Sequence, residues 1–275
     1  MATPYNPMPS VRTVAEAWLS AVEFLLENGA SNTLILHIEE PIARSQRDDD
    51  IITEVDIFLR DHGAYPVATV ANTIFPQAFY RPGNPDLLYA RYRAAFKTVK
   101  SLAPGWGRYF DRMIRWPRSD GDDQNQLDQL LKNLKKYGPA SAENGPYYNM
   151  YEMTLFHPEK DAKKPLNRQC LSFIEIKPEV NEDGVGIIHM TALYRSHYYI
   201  ARTLGNLIGL SRLLYFIAHE TGYQPGSLTI HSTHAELDTQ GTETIKGRKS
   251  WGKTDVRALI DRCRTFKQQA NQATV

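Results

Sequence analysis

The stretch QCLSFIEIKPEVNEDGVGIIHMTALYRSHYYIARTLGNLIGLSRLLYFIAH, residues 169–219, decides how the chain folds. Cys170 to Lys177 and Val185 to Arg195 read as two strands, and Asn181 to Gly184 between them supplies the turn residues of a hairpin. Tyr198 to His219 then reads as a helix. Its apolar residues, Leu204, Leu207, Ile208, Leu210, Leu213, Leu214, Phe216 and Ile217, fall nearly all round the axis, so the helix is predicted to be buried among other elements. Gly222 ends it, and Ser227 to Thr233 reads as one more strand.

Outward from this centre the pattern alternates between helix and strand. Arg12 to Asn28 carries Val14, Ala17, Trp18, Ala21, Val22, Leu25 and Leu26 at the spacing of an amphipathic helix, with Gly29 at its end. Thr33 to Ile38 reads as a strand closed by Pro41. The acidic run Asp48 to Asp50 precedes Ile51, Ile52, Val55, Phe58 and Leu59, which places carboxylates at the positive end of a helix dipole. Pro66 to Pro76 reads as extended, Asp86 to Ala103 and Asn125 to Tyr137 as helices, and Asn149 to Phe156 as a strand. Pro139 to Pro146 and Pro158 to Pro165 read as loops. After Asp238 the chain is polar, with one amphipathic helix from about Thr254 to Lys267.

The 275 residues suffice for one large domain, so a single domain over 1–275 is predicted, with residues 1–11 and 268–275 as flexible ends. Lysine and arginine number 32 against 31 acidic residues, a formal charge of +1, so no global field favours a nucleic acid polymer or a membrane surface. No apolar run reaches the roughly 18 residues of a membrane span, and Met1 to Ser10 lacks a secretory pattern. These features predict a cytoplasmic protein. The two cysteines, Cys170 and Cys263, form no metal-ligand pair or disulfide framework, which suits a reducing compartment and implies no metal.

The order of strand with Cys, hairpin, Arg-Ser, buried helix, Pro-Gly turn and strand with His resembles the thymidylate synthase and pyrimidine hydroxymethylase superfamily. Gln169 to Phe173 occupies the place of the family's nucleophilic Cys, and Arg195-Ser196 that of the pair that binds phosphate and steadies the thiolate. Asn206, eleven positions after Arg195, stands where the family reads the uracil edge. His234 stands where a His contacts the sugar. In the first half Glu54 resembles the family's catalytic Glu, Gly105 to Tyr109 with Trp106 its aromatic-Gly segment, and Asn125-Gln126-Leu127 the helix before its phosphate arginines.

The resemblance implies an α/β (α+β) fold with a large mixed β-sheet covered by helices, including the long buried helix at about 198–219. It also implies a homodimer that pairs sheets face to face, a pyrimidine nucleotide or nucleoside as ligand, and a methylenetetrahydrofolate-type one-carbon donor. Carbon 5 of a pyrimidine is a poor nucleophile until a thiolate adds at carbon 6. Covalent addition splits one hard step into easier ones. A free thiol near pKa ~8.5 is mostly protonated at neutral pH, so a neighbouring cation is needed, and Arg195 brings a charge that cannot be lost. The Asn206 amide donates and accepts at once, which matches a uracil carbonyl beside its ring N–H. Glu54 takes the role of general acid/base.

Departures from the pattern point to a non-standard substrate. Leu171 replaces the His after the Cys, Glu175 replaces a Gln, and His197-Tyr198 stands where a base-contacting Asp is found. Glu236 replaces a sugar-contacting Tyr and could hydrogen-bond a hydroxyl. Tyr137 to Tyr151 contains no arginine, although the family sends two from a partner subunit to the phosphate. Each such contact is worth about 1.5 to 3 kcal/mol, and Arg168, two residues before the Cys, is the candidate replacement. Gly247 to Val275 lacks the family's folate-closing tail. Three readings stay open: a carbon-5 methyl- or hydroxymethyltransferase, a pseudoenzyme or nucleotide sensor on the same fold, and an α/β protein whose Cys170 is inert.

Overall fold

The computed structural model describes residues 5–102, 109–118, 121–140, 146–163, 168–239 and 250–272. In chain order these form β1 (Asn6–Pro7), α1 (Val14–Asn28), β2 (Ser31–Ile38), α2 (Gln46–Asp61), α3 (Val67–Ile74), a 3₁₀ turn (Gln77–Phe79), α4 (Pro85–Leu102) and α5 (Tyr109–Ile114). Next come β3 (Trp116–Pro117), β4 (Asp123–Gln124), α6 (Gln126–Tyr137), β5 (Glu152–Thr154), α7 (Pro158–Asp161), β6 (Leu171–Val180) and β7 (Gly186–Tyr194). The chain ends through β8 (His197–Tyr198), a π-helical turn (Tyr199–Thr203), α8 (Leu204–Thr221), β9 (Gln224–Glu236) and α9 (Lys253–Gln272).

Among the described residues seven strands form one mixed sheet in the order β1-β2-β9-β7-β6-β5, with β8 paired to β9 off this path. The β1–β2 and β8–β9 pairs are parallel, and the β5–β6 and β6–β7 pairs are antiparallel. The fold is therefore mixed α/β on a large sheet with helices, the class the sequence predicts. Local expectations are corrected in three places, and one is Pro158–Asp161, read as part of a loop, which is the short helix α7 capped by His157. The segment read as extended over Pro66 to Pro76 is the helix α3, because Val67, Val70, Ala71 and Ile74 recur at i, i+3, i+4 and i+7 and all are buried. Val67 N–H also donates to Asp56 Oδ1 at 2.8 Å, which anchors the helix start. The strand read over Asn149 to Phe156 shrinks to Glu152–Thr154, because Leu155 and Phe156 both turn their N–H groups onto Ser172 O.

The chain contacts group into two compact units. The first holds residues Met1–Ala71, Arg195–Ile208 and Thr229–Val275. Here Thr13 and Glu16 close a capping box on α1, Ser45 and Asp48 close one on α2, and Thr13 Oγ1 donates to Asp48 Oδ1. Trp18, fully buried, donates its indole N–H to Tyr199 O at 2.7 Å. The α9 helix packs on α1 and α2 through Val256, Leu259, Ile260 and Cys263, all sealed from solvent. Asn6 and Pro7, within the stretch read as a flexible end, pair with Leu34 and Ile35.

The second unit holds Asn72–Tyr194 and Gly209–Leu228. Its centre is an aromatic cluster in which Phe75 lies 5.2 Å from Phe216 and 6.0 Å from Phe110, edge or tilted as ring quadrupoles prefer. Ile174 and Ile176 on β6 and Ile188 and Met190 on β7 fill the same side of their hairpin. The hairpin turns at Gly184, whose φ of 77° is left-handed, within the Asn181 to Gly184 turn that the sequence predicts.

Candidate functional site

Cys170 precedes β6 in the second unit and is half-buried. Its backbone N–H donates to the phenol oxygen of Tyr109 at 3.3 Å, and the N–H of Leu171 reaches the same atom at 3.5 Å. Tyr109 opens α5, and α5 is held by Arg112, which forks onto both oxygens of Asp161 and donates to Leu155 O. Such a bidentate pair fixes orientation as well as adding energy. Asp161 also accepts from His157 N–H at 2.9 Å, and His157 stacks on Trp116 at 5.1 Å. The β6–β7 register shifts between Leu171 and Phe173, directly after the Cys, and a break of that kind re-aims the strand end beside it.

Arg168 lies half-buried in the segment leading to Cys170. Glu175 sits on the sheet face opposite Ile174 and Ile176, where Lys177 pairs with it at 2.5 Å. Trp106 lies outside the described residues.

The remaining candidates belong to the first unit. Arg195 and Ser196 form the half-buried bend between β7 and β8, and Arg195 O accepts from Thr233 Oγ1 at 2.8 Å. Asn206 stands in the first turn of α8 and is 4% exposed. Gly205 beside it is required by packing, because a Cβ there would stand 2.5 Å from Val70 Cβ and 2.8 Å from Val67 O. The turn before α8 is π-helical, a feature often found at functional sites. Asp238 caps it by accepting from the N–H groups of Ile200 and Ala201 at 3.0 and 3.2 Å.

Asn206 Nδ2 lies 3.0 Å from His197 Nε2, and His197 Nδ1 lies 3.0 Å from Ser232 Oγ, which lies 3.1 Å from Tyr199 Oη. His197, Ser232 and Tyr199 are sealed from solvent, and burial pulls the imidazole down to about 3, so it is neutral. Burial also raises the Tyr199 phenol. In the sequence His197 stands out only as a departure, and Ser232, Tyr199 and Asp238 are not among the site candidates. A signal existed for Ser232, which continues the Leu228, Ile230 alternation and so puts a hydroxyl on a buried face.

His234 and Glu236 share one edge of β9. His234 Nδ1 meets Asn32 Oδ1 at 3.0 Å and its Nε2 stands 3.8 Å from Glu236. Thr33, next to Asn32, has φ of 59°, a strained conformation for a β-branched residue. Glu54 lies on α2 and is engaged by the guanidinium of Arg262 from α9, with 18% of the carboxylate side chain exposed. The sequence reading gave no partner to Glu54. Among the described residues no group of three or more His, Cys, Asp or Glu is placed to hold a metal, and no helix is long and apolar enough to cross a membrane.

The arrangement can be set beside proteins of similar sequence, several of which bear the name of a thymidylate synthase. No family profile matches the chain. It is similar to a protein of Methanosarcina barkeri, 34% identical over 92 residues, which cover 29% of this chain and 42% of that protein. A protein of Methanosarcina mazei is 40% identical over 92 residues with the same shares. One of Methanothermobacter marburgensis is 24% identical over 241 residues, covering 83% of this chain and 91% of its own length. All three bear the name "Putative thymidylate synthase". The Methanosarcina matches thus span less than half of those relatives, and the similarity over most of the chain is that of a divergent relative.

Proposed function

We propose that the chain is a pyrimidine-modifying transferase that adds a methyl or hydroxymethyl group at carbon 5 of a nucleotide or nucleoside. In this reading Cys170 supplies the thiolate that bonds to carbon 6, and the electron pair so displaced makes carbon 5 nucleophilic. Carbon 5 then bonds to an electrophilic one-carbon unit that a co-substrate must supply, together with a hydride where the product is methyl, and loss of the carbon-5 proton and departure of the thiolate restore the ring. Arg195 favours the thiolate, Ser196 and Arg168 bind the phosphate or its replacement, Asn206 reads the base edge, and His234 and Glu236 meet the sugar. Glu175 lines the base pocket, and Glu54 moves the proton. The observation that carries the reading is the contact between Tyr109 and Cys170, which lie 61 positions apart and were both singled out by the resemblance.

The resemblance also brings a homodimer in the cytoplasm and a folate donor. The described C-terminal residues form α9, tied by Arg262 to Glu54 and by Arg264 to Glu23.

Tritium release from 5-tritiated uracil and cytosine nucleotides and nucleosides tests the reading. Release that vanishes in Cys170→Ser supports it, and no release from any of these substrates ends it. The engagement of Glu54 by Arg262 favours a second reading, a nucleotide sensor that keeps the pocket without turnover. A pyrimidine nucleotide that raises the melting temperature of the parent and of Cys170→Ala equally, with no tritium release from either, selects the sensor.

A further inference from the structure

We infer that His197 is a positioning residue: with its Nε2 lone pair on the Asn206 amide nitrogen and its Nδ1 on Ser232, it fixes which face of the Asn206 amide is turned to a ligand. The inference deepens the pyrimidine reading and rests on it for the identity of that ligand.

The argument starts from proton counting. A neutral imidazole has one N–H and one lone pair, whereas an amide nitrogen can only donate. Asn206 Nδ2 is 3.0 Å from Nε2, so Nε2 accepts and the single ring proton sits on Nδ1, 3.0 Å from Ser232 Oγ. The serine oxygen accepts that proton and shares a second hydrogen bond with Tyr199. Exposures of 1% for His197, 0% for Ser232 and 4% for Asn206 leave no water to substitute for a lost partner. The imidazole stays uncharged at working pH because burial disfavours its cation.

A flipped Asn206 would set its carbonyl oxygen against the Nε2 lone pair, so the tautomer and the amide orientation lock each other. With Nδ2 committed to His197, the carbonyl oxygen has no hydrogen-bond partner among the described residues. The amide thus offers an acceptor and one N–H. That pair complements a ring N–H beside a carbonyl, as in uracil, and mismatches an unprotonated ring nitrogen beside an amino group, as in cytosine. Nothing in the sequence alone distinguishes this from an Asn that rotates freely.

Long-range ¹⁵N–¹H spectra of the full chain, labelled at histidine, read the tautomer directly. The expected result is a His197 proton on Nδ1 that persists between about pH 8 and pH 5. A proton on Nε2, or a ring that titrates in that window, overturns the inference whatever the protein catalyses. The second measurement is Ser232→Ala, which removes the Nδ1 acceptor. We expect the ring to move toward the Nε2–H form and the preference for uracil over cytosine in tritium release to fall about 10- to 100-fold, the discrimination of one two-point contact. An unchanged preference in Ser232→Ala defeats the positioning role alone. Absence of release from both rings in the parent protein, with Nδ1 protonated, instead defeats the pyrimidine reading and leaves the tautomer standing.

Discussion

Cys170 and Cys263 are the only cysteines in the sequence, and their surroundings are opposite in kind. Cys170 is half-buried at a strand end beside a register shift, with its backbone N–H on Tyr109. Cys263 is sealed in the α9 packing layer, where burial pushes its thiol up to about 12 and the Glu54 carboxylate adds to the shift. The contrast teaches that neither sequence position nor polarity of neighbours tells a structural thiol from an accessible one. What separates them is whether the thiolate can be solvated, which is a property of packing.

The largest effect expected is in alkylation. At pH 8 a thiol held near 12 is ionised in about one molecule in 10⁴, so iodoacetamide should label Cys170 of the native protein long before Cys263. Mass mapping of the first label checks this, and equal rates at the two sites would erase the contrast. The same desolvation that raises one thiol lowers the His197 base. Its folded pKa, near 3, lies below the unfolded value of about 6.5, so the unfolded chain binds the proton first as pH falls. Stability is therefore intact above about pH 6.5 and declines toward pH 3, by about 2 kcal/mol between pH 7 and pH 5 from this group alone. Urea titrations at the two pH values measure it, and His197→Gln should flatten the slope.

Tyr109→Phe sharpens the Cys170 side of the comparison. It leaves two N–H groups without the phenol oxygen, and because their bonds are long, at 3.3 and 3.5 Å, the expected loss is about 1 kcal/mol. Faster alkylation of Cys170 should accompany it as the strand end loosens. Arg262→Ala probes the other side. Half of that side chain is exposed, so solvent screens the pair with Glu54 and the cost is expected at about 0.5 kcal/mol or less. Cys263 labelling should stay slow, because the seal is made by Val256, Leu259 and Ile260 rather than by the ion pair.

Much of the fold was legible because its signals are local. The helices α1, α2, α4 and α6 and the β6–β7 hairpin lie within a few residues of the ranges read from apolar spacing and turn residues. The helix α3 was missed because three of its eight residues are Val or Ile, which suit strands, while the 3.6-residue spacing carried the opposite message. The π-helical start of the segment read as one helix from Tyr198 was also hidden, since it depends on Asp238, far away in the chain.

The sequence by itself determined the fold class and the names of the reactive candidates, because hydrophobic period, turn chemistry and side-chain type are written residue by residue. Only the tertiary structure decided which of those candidates are engaged: Glu54 by Arg262, Tyr109 by the Cys170 segment, Asn206 by a neutral His197. Burial and hydrogen-bond partnership are set by residues distant in sequence, and it is these that fix a group's charge and orientation.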